Sequence, residues 1–167
     1  MKIRSATPED LPAFQEIEIQ AGRLFAEYGM PEIAGDEPAA LSVLAEYQAA
    51  GYAWTAIADG VPAGYLVAEP VDGCLHIEQV SVLPSHGRQG IGRALLDEAA
   101  LAARAKGLAA LTLTTFAQVP WNGPFYRRAG FRLLAEDELT PGLRTIRQRE
   151  AARGLDKWPR FSMRREL

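Results

Sequence analysis

The run Val80-Ser81-Val82-Leu83-Pro84-Ser85-His86-Gly87-Arg88-Gln89-Gly90-Ile91-Gly92-Arg93-Ala94-Leu95-Leu96 constrains the fold more than any other part of this chain. A short apolar strand meets a proline, passes into a glycine-rich loop and continues as a helix beginning near Gly90. The first turn of a helix carries N–H groups with no intrahelical acceptor, and together with the helix dipole these favour an anion. Gly87, Gly90 and Gly92 have no Cβ, so a phosphate can approach the backbone, and a positive φ is open to them. Arg88 and Arg93 add positive charge on either side. The stretch predicts a phosphate ligand.

Two glycine-rich motifs fit poorly. A P-loop needs Gly-Lys-Ser/Thr at the helix start, and the chain has none. A dinucleotide fingerprint, G-x-G-x-x-G, would place its third glycine where Leu95 stands. It would also want an acid on the following strand, about 20 residues on, and residues 111–115 (Leu-Thr-Leu-Thr-Thr) hold none.

The run resembles the acetyl-coenzyme A signature of the GNAT superfamily of N-acetyltransferases, Q/R-x-x-G-x-G/A after a strand ending V-x-V-x-P. Val80-Ser81-Val82-Leu83-Pro84 supplies the strand end, and Gly90-Ile91-Gly92 followed by Arg93-Ala94-Leu95-Leu96 supplies the glycine core and helix entry. One departure stands out: Gly87 occupies the Q/R position, with Arg88 directly after it. Gln89-x-x-Gly92-x-Ala94 meets the same pattern in a shifted frame. A second stretch, Asn122-Gly123-Pro124-Phe125-Tyr126-Arg127-Arg128-Ala129-Gly130-Phe131, resembles the later motif of the same superfamily, an Asn before a helix that carries F-Y-x-x-x-G-F.

Composition agrees with a soluble globular chain. At 167 residues, 48% apolar and 23% charged, the expectation is one domain over residues 1–167 with a real core. No apolar run approaches the roughly 18 residues of a membrane span, and the acid-containing N-terminus does not read as a signal peptide, so a cytoplasmic protein without membrane contact is expected. The single cysteine, Cys74, excludes an intrachain disulfide and reads as a small buried strand residue. His76 and His86, ten residues apart, are the only histidines, and no metal site is expected. Residues 1–60 hold ten acids against three bases, and residues 144–167 hold eight bases against three acids. The bases are scattered rather than blocked, which reads as a solvated face and predicts no nucleic-acid partner.

The coarse layout begins with a strand over 2–6. Thr7 is the expected N-cap of a helix with Pro8 at its first position, running to about residue 21. Residues 23–38 read as an acidic loop and 37–50 as a second helix. Strands over 52–58 and 63–69 form a hairpin about Asp59-Gly60. A central strand over 75–82 precedes a helix over 90–106 that ends near Gly107, and a strand over 110–116 follows. A short helix over 124–129, a strand from 131, a helix over 141–153 and a strand from 160 complete the pattern. This order predicts an α/β fold with a mixed, twisted sheet and helices on both faces. The resemblance implies a GNAT-like, mostly antiparallel sheet of about six to seven strands, with a central splay between two parallel strands.

The same resemblance implies the site. Acetyl-coenzyme A would lie between the strands over 75–82 and 110–116, with no metal. Its pantetheine arm would pair with backbone near Val80, Ser81 and Val82, and a backbone N–H there would polarise the acetyl carbonyl. The diphosphate would rest on Gly87, Arg88, Gln89, Gly90, Ile91, Gly92 and Arg93. Asn122 would either bond the coenzyme or cap its helix. Direct transfer to an amine requires that the ammonium lose a proton and the departing thiolate gain one. Tyr126 is the expected general acid, with a buried structural tyrosine as the alternative. Glu78 is the candidate base, acting through water, with a strand carboxylate that faces solvent or holds a cation as the alternative. His76 shares its strand face with Glu78 by alternation and is a further candidate, whereas His86 is expected to pack or touch phosphate.

The acids Glu27, Glu32, Asp36 and Glu37 fall in the region that often borders the acceptor in this superfamily, and hint at a cationic amine. Trp54, Tyr65 and Trp121 could line an apolar slot or simply fill the core. The resulting expectation is an acetyl-coenzyme A-dependent N-acetyltransferase that acts on a primary amine without a covalent enzyme intermediate, and a homodimer is admitted. The alternatives are a non-catalytic coenzyme A-binding module and transfer of another acyl group or to a hydroxyl.

Overall fold

The computed structural model describes residues 1–23, 38–116, 122–154 and 160–167, and for Phe116 and Asn122 the backbone alone. Seven strands form one sheet in the order β1-β2-β3-β4-β5-β7-β6. They are β1 (Lys2–Ser5), β2 (Ala53–Ala58), β3 (Val61–Val71), β4 (Cys74–Val82), β5 (Ala110–Phe116), β6 (Arg132–Leu133) and β7 (Arg160–Glu166). Helices α1 (Leu11–Gly22), α2 (Leu41–Ala49), α3 (Ile91–Ala105), α4 (Asn122–Arg128) and α5 (Pro141–Ala152) connect them. The β4–β5 ladder is parallel and the other resolved ladders are antiparallel. This is the mixed, mostly antiparallel α/β arrangement expected from the sequence.

The described residues gather into two compact units. The first comprises residues 1–69 and 77–101, the second residues 70–76 and 102–167.

In the first unit, β1 pairs with β2 and β2 with β3. The β2–β3 turn is Asp59-Gly60, both at positive φ (53° and 76°), the pair that a two-residue hairpin turn of the right twist requires. Thr7 stands at the N-cap with Pro8 after it, as expected, but the first turn is 3-10 and its capping bond comes from Asp10. Residues 8–10 form a 3-10 turn, and the Thr7 side chain donates to Asp10 rather than accepting from the helix. The Asp10 carboxylate reaches back to the Thr7 N–H (2.7 Å) and takes a bidentate pair from Arg4 (2.7 and 2.9 Å). The acid at the third position thus satisfies the N–H of the N-cap residue, the second half of a capping box. The Arg4 guanidinium holds the Asp10 carboxyl below the usual carboxylate range.

Helices lie on both faces of β3. Phe14 of α1 stacks on Tyr65 (centroids 4.5 Å apart, 12° between planes). On the opposite face, α3 comes so close to Gly64 that a Cβ there would meet Ile91 Cγ2 at 3.0 Å. Leu11, Phe14, Ile17 and Leu44 close the core against Tyr65 and Val67. Burial of each large side chain contributes about 1.5–3 kcal/mol.

In the second unit, β7 pairs with β5 along its whole length and with β6 at Arg132 and Leu133. The two β4–β5 partner pairs, Leu75↔Leu111 and His76↔Thr112, also lie here. A second Asp-Gly turn, Asp72-Gly73, repeats the positive φ values of the first (53° and 77°) and carries β3 into β4. It is plain in the sequence once β3 is allowed to run to Val71. Asp72 Oδ2 also accepts from the Gly142 N–H at 2.8 Å, which fastens the first turn of α5. Residues of even and odd number on β7 point to opposite faces. Phe161 and Arg165 face Gly123 and Gly130 of the α4 region. On the other face, Glu150 of α5 accepts from Thr114 Oγ1 (3.1 and 3.0 Å) and pairs with Arg160. Thus α4 and α5 cover opposite sides of the β5–β7 ladder.

Candidate functional site

The glycine-rich loop is ordered by its own backbone. Leu83 N–H donates to Ala63 O (2.8 Å), and residues 84–86 make a 3-10 turn in which His86 N–H donates to Leu83 O (2.9 Å). Gly87 then takes φ −63° and ψ 156°, an extended conformation open to any residue. The left-handed positions are Arg88 (φ 62°) and Gly90 (φ 79°). Gly87 is therefore not the glycine that the turn requires, and the strained site carries an arginine. A Cβ on Gly90 would meet no atom within 4 Å, so the space beside the helix start is open. The first helical bond runs from Ala94 N–H to Gly90 O (3.0 Å), which leaves the N–H groups of Ile91, Gly92 and Arg93 beyond the helix ladder. This geometry suits a diphosphate. Gln89 is exposed in the same loop, and Arg93 pairs with Asp97 one turn on (3.2 Å).

The His86 ring has two polar neighbours. Nδ1 lies 2.9 Å from Ser85 Oγ and Nε2 lies 3.3 Å from Asp59 Oδ2.

On β4, Val80 and Val82 are half-buried and Ser81 is buried. Ser81 Oγ accepts from Gln79 Nε2 at 2.7 Å. Nearby, the Tyr65 hydroxyl donates to Glu18 of α1 (3.3 Å), whose carboxylate also accepts from Ala39 N–H (3.3 Å). Burial first, and then the Glu18 charge, push the Tyr65 phenol far above its ordinary range. Sequence reasoning missed this Glu18–Tyr65–Ser81 group, because its members meet only through the register of β3 and the packing of α1. Glu78 is half-buried. Its charge, with those of Glu69 and Glu46, adds to burial in raising the Tyr47 phenol. The first unit thus collects negative charge about Tyr47.

Trp54 and Tyr65 are 3% and 1% exposed, which makes both core residues rather than the lining of a slot. Trp121, Glu27, Glu32, Asp36 and Glu37 lie outside the described residues. Cys74 is buried, as expected, and its sulfur accepts from Arg164 Nη1 at 3.4 Å.

The second unit holds His76 and Tyr126. His76 is 2% exposed and shares a hydrogen bond with Thr112 Oγ1 (Nδ1···Oγ1 2.9 Å). Burial lowers its pKa to about 4 and keeps the ring neutral. Nδ1 is thereby engaged within the sheet. Tyr126, on α4, lies edge-on to Phe125 and Phe131 (5.1 and 5.7 Å between centroids). Desolvation pushes its phenol up to about 12, so the hydroxyl keeps its proton at neutral pH. Among the described residues no partner takes that proton. Asn122 begins α4. Gly130, at φ 94°, ends the same helical stretch before Phe131, as the second motif predicted.

Among the described residues there is no group of three or more His, Cys, Asp or Glu able to hold a metal ion, and no helix is long and apolar enough to cross a membrane.

Comparison with known proteins gives a single family. The profile of the Acetyltransferase (GNAT) family matches residues 15–131, more than half of the chain. Three solved structures share the fold over nearly their whole length at low identity. The ribosomal-protein-alanine N-acetyltransferase from Brucella melitensis is 21% identical, with a TM-score of 0.73 and 100% of each chain covered. The ribosomal-protein-S18-alanine N-acetyltransferase from Escherichia coli is 20% identical, with a TM-score of 0.70 over 99% of this chain and 93% of that one. The PaiA N-acetyltransferase from Thermoplasma acidophilum, solved in complex with coenzyme A, is 18% identical, with a TM-score of 0.71 over 99% and 98%.

Proposed function

Because the chain belongs to the GNAT acetyltransferase family, we propose that it transfers the acetyl group of acetyl-coenzyme A directly to a primary amine. The observation that carries this reading is the loop before α3, where left-handed Arg88 and Gly90 open the helix N-terminus to an anion. The N–H groups of Ile91, Gly92 and Arg93 would hold the diphosphate, with Arg88 and Gln89 beside it. Backbone groups of Val80, Ser81 and Val82 would pair with the pantetheine arm and polarise the thioester carbonyl.

The coenzyme supplies an activated thioester. The amine nitrogen bonds to the acetyl carbon, the C–S bond breaks and the thiolate leaves. Tyr126, still protonated at neutral pH, would give that thiolate its proton. Glu78 would take the proton that the ammonium must lose, through water. Asn122, at the start of α4, is the remaining candidate for a coenzyme contact. The negative charge of Glu46, Glu69 and Glu78 about Tyr47 favours a cationic acceptor over an anionic one.

The test has two arms. Calorimetric titration should show binding of coenzyme A and acetyl-coenzyme A but not of NAD or ATP. Release of free coenzyme A should then follow on addition of amines, aminoglycosides, amino acids or peptides. No coenzyme binding would overturn the reading, and binding with no product on any amine would leave a non-catalytic coenzyme A-binding module in its place.

A further inference from the structure

Residues Arg144, Arg147, Gln148 and Ala151 recur at helical spacing on one face of α5, and with Glu136 and Leu139 they line an open surface cavity of about 250 Å³, in which Glu136, Arg144, Gln148 and Ala151 are exposed. Glu150, on another face of α5, is held against Thr114 and Arg160 of the ladder, whereas α4 with Tyr126 covers the ladder's opposite side. The cavity is therefore separate from the Tyr126 helix.

Its polar groups are unevenly satisfied. Arg144 is fixed by two backbone carbonyls, Leu139 O (3.2 Å) and Glu136 O (3.0 Å), so its guanidinium is oriented before anything binds. Arg147 has no hydrogen-bond or ion-pair partner among the described residues, and its Nε–H is shielded from solvent without an acceptor. The terminal N–H groups of that guanidinium are not shielded in this way, and a carboxylate is the acceptor that suits them. Glu136 and Gln148 line the same cavity, and among the described residues no ion pair joins Glu136 to either arginine. Two cations, one separate anion and the apolar Leu139 and Ala151 make a complement to a molecule that carries both charges and a short apolar part.

We propose that this cavity binds a free α-amino acid as a ligand rather than as the acetyl acceptor. The carboxylate meets Arg144 and Arg147, the ammonium meets Glu136, and an aliphatic side chain lies on Leu139 and Ala151. A dianionic phosphate is disfavoured by Glu136, and a simple amine by the arginines.

Calorimetry on the intact chain tests this with L-leucine, isocaproate (no ammonium), isoamylamine (no carboxylate) and inorganic phosphate. L-leucine should bind at millimolar concentration, and each of the other three about tenfold more weakly or not at all. Arg147→Gln should weaken leucine about tenfold, and Glu136→Gln should erase the preference for leucine over isocaproate, with coenzyme A affinity unchanged in both. No leucine binding, equal binding of leucine and isocaproate to the unaltered chain, or an Arg147→Gln variant that binds leucine as before would each overturn the proposal. The analogue comparison needs no variant, so a folding defect in either one leaves the test intact.

Discussion

The imidazole Nε2 of His86 lies 3.3 Å from the Asp59 carboxylate, which ties the loop ahead of α3 to the turn of the first hairpin. The His86 side chain is 14% exposed and that of Asp59 is 86% exposed, so solvent screens the contact and its direct contribution is at most about 1 kcal/mol. Its effect is on position. His86→Ala should weaken coenzyme A binding about threefold to tenfold by calorimetry while leaving the melting temperature nearly unchanged. Asp59→Asn keeps a residue that tolerates positive φ and should have the smaller effect.

Arg88 holds a conformation that disfavours side chains, with φ at 62°. Arg88→Gly should therefore stabilise the fold by about 1 kcal/mol in denaturant titration, yet lower coenzyme A affinity through loss of the guanidinium. Gly87→Ala should be nearly silent in both measurements, since its φ is −63° and the nearest atom to a new Cβ is Pro84 O at 3.4 Å. A large loss of stability in Gly87→Ala would show that the left-handed position had been misassigned.

Tyr126→Phe keeps the ring contacts with Phe125 and Phe131 and removes the hydroxyl that carries the proton. If that proton reaches the thiolate, turnover should fall about a hundredfold with coenzyme A affinity unchanged, read by steady-state kinetics alongside calorimetry. Unchanged turnover would remove the acid role.

His76 gives the fold a pH dependence of definite sign. Burial holds its native pKa near 4, against an ordinary value of about 6.5, so the unfolded chain binds the proton first on acidification. Stability should fall as pH drops from about 6.5 toward 4, by an amount on the order of 3 kcal/mol. Urea titrations across that window should show the slope, and His76→Asn should flatten it.

Gly64→Ala should cost about 2 kcal/mol in urea titration, since the added methyl would sit 3.0 Å from both Ile91 Cγ2 and the Ser81 carbonyl. Their displacement would shift the helix start that the coenzyme is proposed to use, so coenzyme A affinity should fall as well.

Much of the fold is legible in local chemistry. Asp59-Gly60 marks a hairpin, Gly107 and Gly130 close helical stretches at positive φ, and the strand–proline–glycine–helix run places β4 and α3 within a residue or two. Less legible is anything decided by register. Alternation puts His76 on a face with Glu78, but only the β4–β5 pairing brings Thr112 against it, 36 residues away. The count of glycines in the loop likewise says nothing about which residue turns left-handed, and the turn falls one position later than Gly87.

Glu150 and Arg160 have side chains only 14% and 6% exposed, and they meet across the gap between α5 and β7. Loss of either alone would strand a charge away from water, whereas loss of both together for apolar groups of similar size would not. Related sequences should consequently keep both or abandon both, so these two positions are expected to vary as a pair across the family even though ten residues of chain separate them.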